Sequence, residues 1–438
     1  MKDFFYINSN FRALYMIFLV FILKNASLFK INFFLFAKML DKHNIYIIEC
    51  SKNKGVQFQG NTLQLNAISF GGNLYMELEG QIRIPSGCAI SGLISKSGRR
   101  IGGDVIKRSI AVMHNRSNGL GGGFAGYGIY PEYKDEYALH IFYDSSEAKI
   151  NCEKYLENHF DIINLSKIPV RKNKYIKNEP LIWRYFVHPL PTKLADAQLN
   201  EDEFMRRCVF KINTKIDGAY IFSSGKNMGV FKAVGYPEDV ADFYKLEDYA
   251  GYCWTAHGRY PTNTPGWWGG AHPFSLLDLS VVHNGEISSY DANRRFIEMY
   301  GYKCTLQTDT EVITYIIDYL TRVIGLTYKE TASVIAAPFW STINSIKDQE
   351  ERERLTYLRN TFSSLLITGP FSILVGFSGG LMILNDRIKL RSMVMGEKDD
   401  IVYAASEESA IRAIEPNVTN LYSPKGGEAF VIRVQEEK

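Results

Sequence analysis

The apolar and polar positions divide this chain into two kinds of text. From Cys88 onward, short apolar runs alternate with glycine-rich and polar breaks. The stretch "CAISGLISKSGRRIGGDVIKRSIAVMHNRSNGLGGGFAGYGIY" predicts a strand, a glycine turn, a helix from Asp104 to about His114, a glycine loop, and a second strand ending near Tyr130. Farther on, the apolar run Leu276 to Val282 is ended by Asn284-Gly285. In "QTDTEVITYIIDYL", Asp309 opens a helix whose apolar face, Val312, Ile313, Ile316, Ile317 and Leu320, turns to the core. The charged helix "SIKDQEERERLTYLRNTF" reads as a solvated face. The tail "IVYAASEESAIRAIEPNVTNLYSPKGGEAFVIRV" reads strand, short helix, then a strand after Gly426-Gly427 that completes the sheets. A polar, Lys/Asn-rich insertion over 144–204 separates two parts of one domain, 88–143 and about 205–390; a partner-docking excursion is one reading of it.

Residues 1–75 are the other text. They are crowded with Phe, Ile, Leu, Lys and Asn, and the uninterrupted apolar run from Ala13 to Leu23 falls short of the roughly 20 residues that a spanning helix needs. No small-residue cleavage site follows it, as a signal peptide requires. The same bias arises when AT-rich non-coding DNA is translated. Residues 1–75 are therefore a doubtful extension, either a mis-called gene start or a membrane segment. Met76 is the expected start, and residues 76–87 the expected propeptide.

Composition narrows the class. With 438 residues, 46% hydrophobic and 22% charged, the chain is expected to be a globular protein of enzyme size. A net charge of +3 without a basic stripe argues against nucleic acid as a partner. Six cysteines at wide spacings, with no C-x-x-C pair, suggest neither a metal site nor a disulfide framework, so a reducing cytoplasm is the simplest setting.

Candidate chemistry starts at "RIPSGCAISG". Removal of the leader leaves Cys88 with a free α-amino group, which titrates near 7.7–8.0 and can take the thiol proton near neutral pH. Against this stands a buried cysteine at a strand start, the commonest fate of a free thiol. The "GGGFAG" run matches G-x-G-x-x-G only formally: a helix precedes it and a strand follows, the reverse of a dinucleotide fingerprint, so it is read as a tight loop beside the active site. Arg259 sits among Gly, Pro and Thr in "AHGRYPTNTPGWWGGAHP". One thiol, one guanidinium, the Asn284 amide with the Gly285 N–H, and the Asp309 carboxylate suit an amino-acid amide. The guanidinium pairs with its α-carboxylate, the carboxylate with its α-ammonium, and the amide and N–H with the oxyanion formed on thiol attack.

Cys88 in "CAISG", with "HGRYPT", "HNGEIS" and "TDTEV", resembles the class II, N-terminal-nucleophile glutamine amidotransferases in order and approximate spacing. Within them "RYPTNTPGWWGGAHP" and "NDRIKLRSM" look most like the amidotransferase domain of glutamate synthase in its stand-alone archaeal-type form. The resemblance implies an α+β, four-layer αββα sandwich over 88–438 and a mature chain that begins at Cys88. It implies Cys88, Asn284 and Gly285 as catalytic, and Arg259, Asp309 and Thr262 as substrate-binding. His257, His272 and His283 are expected to be structural, because an N-terminal nucleophile needs no histidine base. Trp267-Trp268 is expected either to cover the glutamine pocket or to pack the loop. No cofactor or metal is expected in this chain. The implied partners are glutamine and a separate synthase subunit that carries flavin and an iron–sulfur cluster. The same half-reaction serving another amino-acid synthase, and a glutamine-sensing subunit without catalysis, are the alternatives.

Overall fold

The computed structural model describes residues 87–260 and 266–435, together with the backbone of two short strands, Met39–Asp41 and Asn44–Tyr46. The chain divides into two compact units, Met1–Gln81 and Ile82–Lys438. In the first, the two short strands pair antiparallel, with Met39 opposite Tyr46. The expectations for residues 1–75 and for the leader 76–86 otherwise lie outside the described residues. Among the described residues, no helix is long and apolar enough to cross a membrane.

In the second unit, β1 (Ala89–Ser95) follows Cys88 directly, and α1 (Gly103–Ala111) and β2 (Gly122–Tyr127) come next. The helix ends three residues short of the expected His114, where a single 3-10 turn, His114–Arg116, takes over. The glycine loop is corrected outright, because Gly122, Gly123 and Gly126 lie within β2. Gly123 shows why a strand needs them: a Cβ there would stand 2.2 Å from the His272 carbonyl oxygen.

The insertion is a folded layer larger than 144–204. Strands β3 (Tyr137–Tyr143), β4 (Phe160–Lys167), β5 (Leu181–Pro189) and β6 (Ala219–Ser223) form an antiparallel sheet ordered β4-β5-β3-β6. Helices α2 (Ser146–His159) and α3 (Glu201–Lys215) accompany it. Each is capped at its start, Ser145 accepting from the Ala148 N–H and Asn200 from the Glu203 N–H. Polarity misled the boundary because β4 is an edge strand whose residues are mostly solvent-facing, whereas β3 is buried throughout.

The chain then returns through β7 (Met228–Ala233), α4 (Pro237–Phe243) and β8 (Cys253–Gly258). The apolar run at 276–282 spans a hairpin of β9 (Phe274–Leu276) and β10 (Leu279–Gly285), turned at Leu277 with φ 50°. Helices α5 (Tyr290–Met299), α6 (Asp309–Asp318), α7 (Tyr328–Ile335) and α8 (Gln349–Thr361) follow. The expected apolar face is buried completely: Val312, Ile313, Ile316 and Ile317 on α6, and Leu320 in the π-helical turn Tyr319–Val323 that follows it, are each at 0% exposure and contribute about 1.5–3 kcal/mol apiece. Helix α8 buries only Leu355 and Leu358, as its charge pattern required. The tail supplies β11 (Phe371–Phe377), β12 (Gly380–Asn385), β13 (Val394–Lys398), β14 (Ile401–Ala405), α9 (Glu408–Arg412), β15 (Asn420–Tyr422) and β16 (Phe430–Arg433).

Two main sheets result, both antiparallel. One has seven strands, β7-β2-β8-β1-β14-β13-β15, and the other five, β9-β10-β11-β12-β16. They pack face to face through β1, β8, β10 and β11, so that Val282, Leu374 and Leu381 share one buried cluster with Ile90, Phe124 and Trp254. Helices α1, α4 and α9 lie against the outer face of the first sheet, and α6 and α7 against the second. This is the α+β, αββα sandwich. Strands covered on both faces must be apolar at almost every position, which is why β1, β8 and β11 read as runs rather than alternations.

Candidate active site

Strand pairing brings the thiol and the guanidinium segment together. Strands β1 and β8 run antiparallel with Ala89 opposite Gly258, so the residues just outside the ladder, Cys88 and Arg259-Tyr260, are neighbours. The Tyr260 N–H donates to Cys88 Sγ at 3.3 Å. Arg259 is held by its own backbone: its N–H donates to the Gly121 carbonyl at 2.8 Å, and its carbonyl accepts from Ser117 Oγ at 2.9 Å. Arg259 is 5% exposed.

The other sheet brings the amide. Asn284-Gly285 ends β10, where Gly285 has φ +155° and a Cβ would stand 2.0 Å from the Pro370 carbonyl oxygen. Only glycine fits there. Asn284 Nδ2 donates to Ser406 Oγ at 3.3 Å, and the same hydroxyl oxygen accepts from the Ile90 N–H at 3.1 Å. The Ser406 N–H in turn donates to the Ile90 carbonyl at 2.9 Å. Next to it, Glu407 pairs with Arg116 Nη1 at 2.9 Å, and Arg116 Nε donates to the Cys88 carbonyl at 3.1 Å. The corner after β14 therefore ties the backbone around Cys88 to the Asn284 amide. Neither Ser406, Arg116 nor Glu407 stood out in the sequence, where no spacing links them to Cys88 or Asn284.

Asp309 begins α6, where the positive end of the helix favours a carboxylate. Its Oδ2 accepts from the Ile287 N–H at 3.1 Å and its Oδ1 from Thr310 Oγ1 at 3.2 Å. His283 Nδ1 lies 3.5 Å from Oδ1. Burial alone would raise the Asp309 carboxyl, but His283 and these donors outweigh it and hold the carboxyl below its ordinary range. Burial pushes the Cys88 thiol up; the Tyr260 N–H, Arg259 and Arg391 oppose this, and Asp309 adds to it. Burial likewise lowers Arg259, while Cys88 and Asp309 favour its charge. These three groups thus act on one another.

The histidines occupy the layer behind. His257 Nε2 meets the His283 carbonyl at 2.9 Å, and the His257 ring stacks on His272 at 4.1 Å. Burial pushes His257 down to about 3, so it is neutral at physiological pH. Trp268 is buried and donates Nε1–H to the Lys177 carbonyl at 3.2 Å, whereas Trp267 is 44% exposed. Both line a cavity of 680 Å³ shared with Phe142, Asn213, Tyr220 and Thr305; neither Cys88, Arg259, Asn284 nor Asp309 borders it. Thr262 lies outside the described residues. Among the described residues, no cluster of His, Cys, Asp and Glu could hold a metal ion.

Comparison with known proteins gives the family. The family model for class II glutamine amidotransferases matches residues 132–438, a span that holds Arg259, Asn284, Gly285 and Asp309 and begins after Cys88. An uncharacterized protein of Archaeoglobus fulgidus is 48% identical over 354 residues, 80% of this chain and 93% of the relative. A putative glutamine amidotransferase of Methanothermobacter thermautotrophicus is 25% identical over 75% of this chain and 93% of its own length. Among solved structures, the glutamine phosphoribosylpyrophosphate amidotransferase of B. subtilis aligns with a TM-score of 0.40 at 13% identity, covering 79% of this chain and 47% of that one.

Proposed function

The chain belongs to the class II glutamine amidotransferases, and from that membership we propose how its site releases ammonia from glutamine. Cys88, as the first residue of the mature chain, attacks the side-chain carboxamide while its own α-amine accepts the thiol proton, directly or through a water. The C–S bond forms, and the carbonyl oxygen takes the negative charge against Asn284 Nδ2 and the Gly285 N–H. Collapse expels ammonia, which carries the proton away. Water then cleaves the thioester, giving glutamate and the free thiol. Arg259 pairs with the α-carboxylate, Asp309 with the α-ammonium, and Thr262 orients the substrate.

The observation that carries this reading is the register of β1 against β8, which sets Cys88 beside Arg259-Tyr260 with Tyr260 N–H 3.3 Å from Sγ. A glutamine sensor has no need of a thiol at that point, which favours the enzyme over a binding subunit. The motif "RYPTNTPGWWGGAHP" supports a glutamate-synthase-like acceptor on a separate subunit, with flavin and iron–sulfur chemistry there. The test is direct. The purified protein is expected to convert glutamine to glutamate and ammonia, and Cys88→Ala to abolish this with an unchanged circular dichroism spectrum. The intact mass of the active protein is expected to match a chain that begins at Cys88. An alanine variant as active as the parent, or an active protein retaining residues 76–87, overturns the assignment.

A further inference from the structure

Two buried ionisable side chains hold the backbone near Arg259 and Asp309 and belong to none of the expected site residues. Lys232, on β7, is 1% exposed. Its Nζ donates to the Gly269 carbonyl at 2.8 Å and to the Pro273 carbonyl at 3.3 Å, and it lies 4.6 Å from the Phe274 ring centroid. Those carbonyls stand at the two ends of the turn by which the connection from Arg259 returns to β9. Glu311, in the first turn of α6, is also 1% exposed. It accepts from the Thr305 N–H at 3.2 Å, the Leu306 N–H at 2.9 Å and the Tyr315 hydroxyl at 3.3 Å. Residues 305 and 306 belong to the loop that leads into Asp309. Lys232 therefore pins the backbone beyond Arg259, and Glu311 the backbone before Asp309.

Buried ions are costly to hold, and well-packed apolar residues of similar volume often stabilise a fold as well or better. A role in geometry explains their presence better than a role in stability. We propose that Lys232 and Glu311 are paired positioning residues that set the separation of Arg259 and Asp309, and so the selectivity of the site for an α-amino-acid head group. Burial drives each toward its neutral form, Lys232 down to about 7 and Glu311 up to about 7, and each favours the charge of the other. Arg259 repels Lys232, which couples the pair to the guanidinium. The proposal rests on the roles given above to Arg259 and Asp309.

The test uses the full chain and two readouts. Lys232→Met is expected to raise KM for glutamine roughly ten- to a hundredfold, the loss of a hydrogen-bonded charge, with kcat within about threefold of the parent. Alkylation of Cys88 by iodoacetamide, a probe with no amino-acid head group, is expected to proceed at the parent rate. Combined with Arg259→Lys, the loss is expected to fall short of the product of the two single effects. Glu311→Gln, the milder change, is expected to raise KM about three- to tenfold, and it keeps the test decisive if Lys232→Met does not fold. An unchanged KM in folded variants, or a parallel fall in kcat and alkylation rate, overturns the pair alone. A parent whose thiol alkylates but which neither binds nor hydrolyses glutamine overturns the proposed function with it.

Discussion

At the residue scale, substrate binding and chemistry separate cleanly in the proposed roles. Arg259→Lys keeps the charge but loses the planar fork that matches a carboxylate, so KM is expected to rise by about 2–3 kcal/mol in binding terms with kcat little changed. Asn284→Ala removes a donor whose bond strengthens as the oxyanion forms; kcat is expected to fall about 10²–10³-fold at nearly constant KM. Steady-state kinetics on the two variants decide the point, and the opposite pattern would mean that glutamine lies the other way round. Cys88, Arg259, Asn284 and Asp309 could be nominated from the sequence because each belongs to a short motif whose residue types suit one substrate. Ser406, Arg116 and Glu407 could not. Their meaning lies in contacts such as Ile90 with Ser406, 316 positions apart, which leave no local spacing to read.

Elements decide where those side chains point. Strand β2 is the clearest case, since its glycines look like a loop in the sequence and form a strand in the fold. The reason is crowding from outside the strand: the His272 backbone crosses over Gly123, with Lys232 opposite in the ladder. Gly123→Ala is accordingly expected to lower stability by about 1–3 kcal/mol, the usual cost of overpacking, as read from the urea unfolding midpoint. A stability equal to the parent would show that the crossing backbone gives way. The start and buried face of helix α6 were readable, because a helix that buries one face writes its period into the sequence, but its change to a π-helical turn at Tyr319 was not. The insertion was not, because the polar positions of the edge strand β4 concealed a sheet whose register depends on β5.

For the whole molecule, stability and pH are linked through buried titratable groups. His140 is enclosed, its Nδ1 2.9 Å from the Val230 carbonyl and its Nε2 2.9 Å from the Tyr130 hydroxyl, and burial pushes it down to about 3. The unfolded chain protonates an ordinary histidine near 6.5. The stability tied to His140 is thus complete above about pH 6.5 and is lost as pH falls toward 3. Glu311 and Asp278, raised by burial to about 7 and about 6, act in the opposite sense over the same range, so the informative quantity is a difference between two proteins. Between pH 7.5 and 5, His140→Gln is expected to lose about 2 kcal/mol less stability than the parent in urea unfolding; equal losses would mean that His140 titrates normally in the folded chain. At this scale, the sequence by itself determined the helix that bears Asp309, and through the resemblance of its motifs to a known family it implied the class of fold and nominated Cys88, Arg259, Asn284 and Asp309 for the site. The helix follows from local period and the rest from short motifs, and both are properties of short segments. Only the tertiary structure decided that the "GGGFAG" run is a strand, that the corner at Ser406-Glu407 joins the backbone around Cys88 to the Asn284 amide, and that Lys232 and Glu311 hold the backbone beyond Arg259 and before Asp309. Each of these depends on which sheets meet and in what register, and that is set by packing across hundreds of residues rather than by any neighbour along the chain.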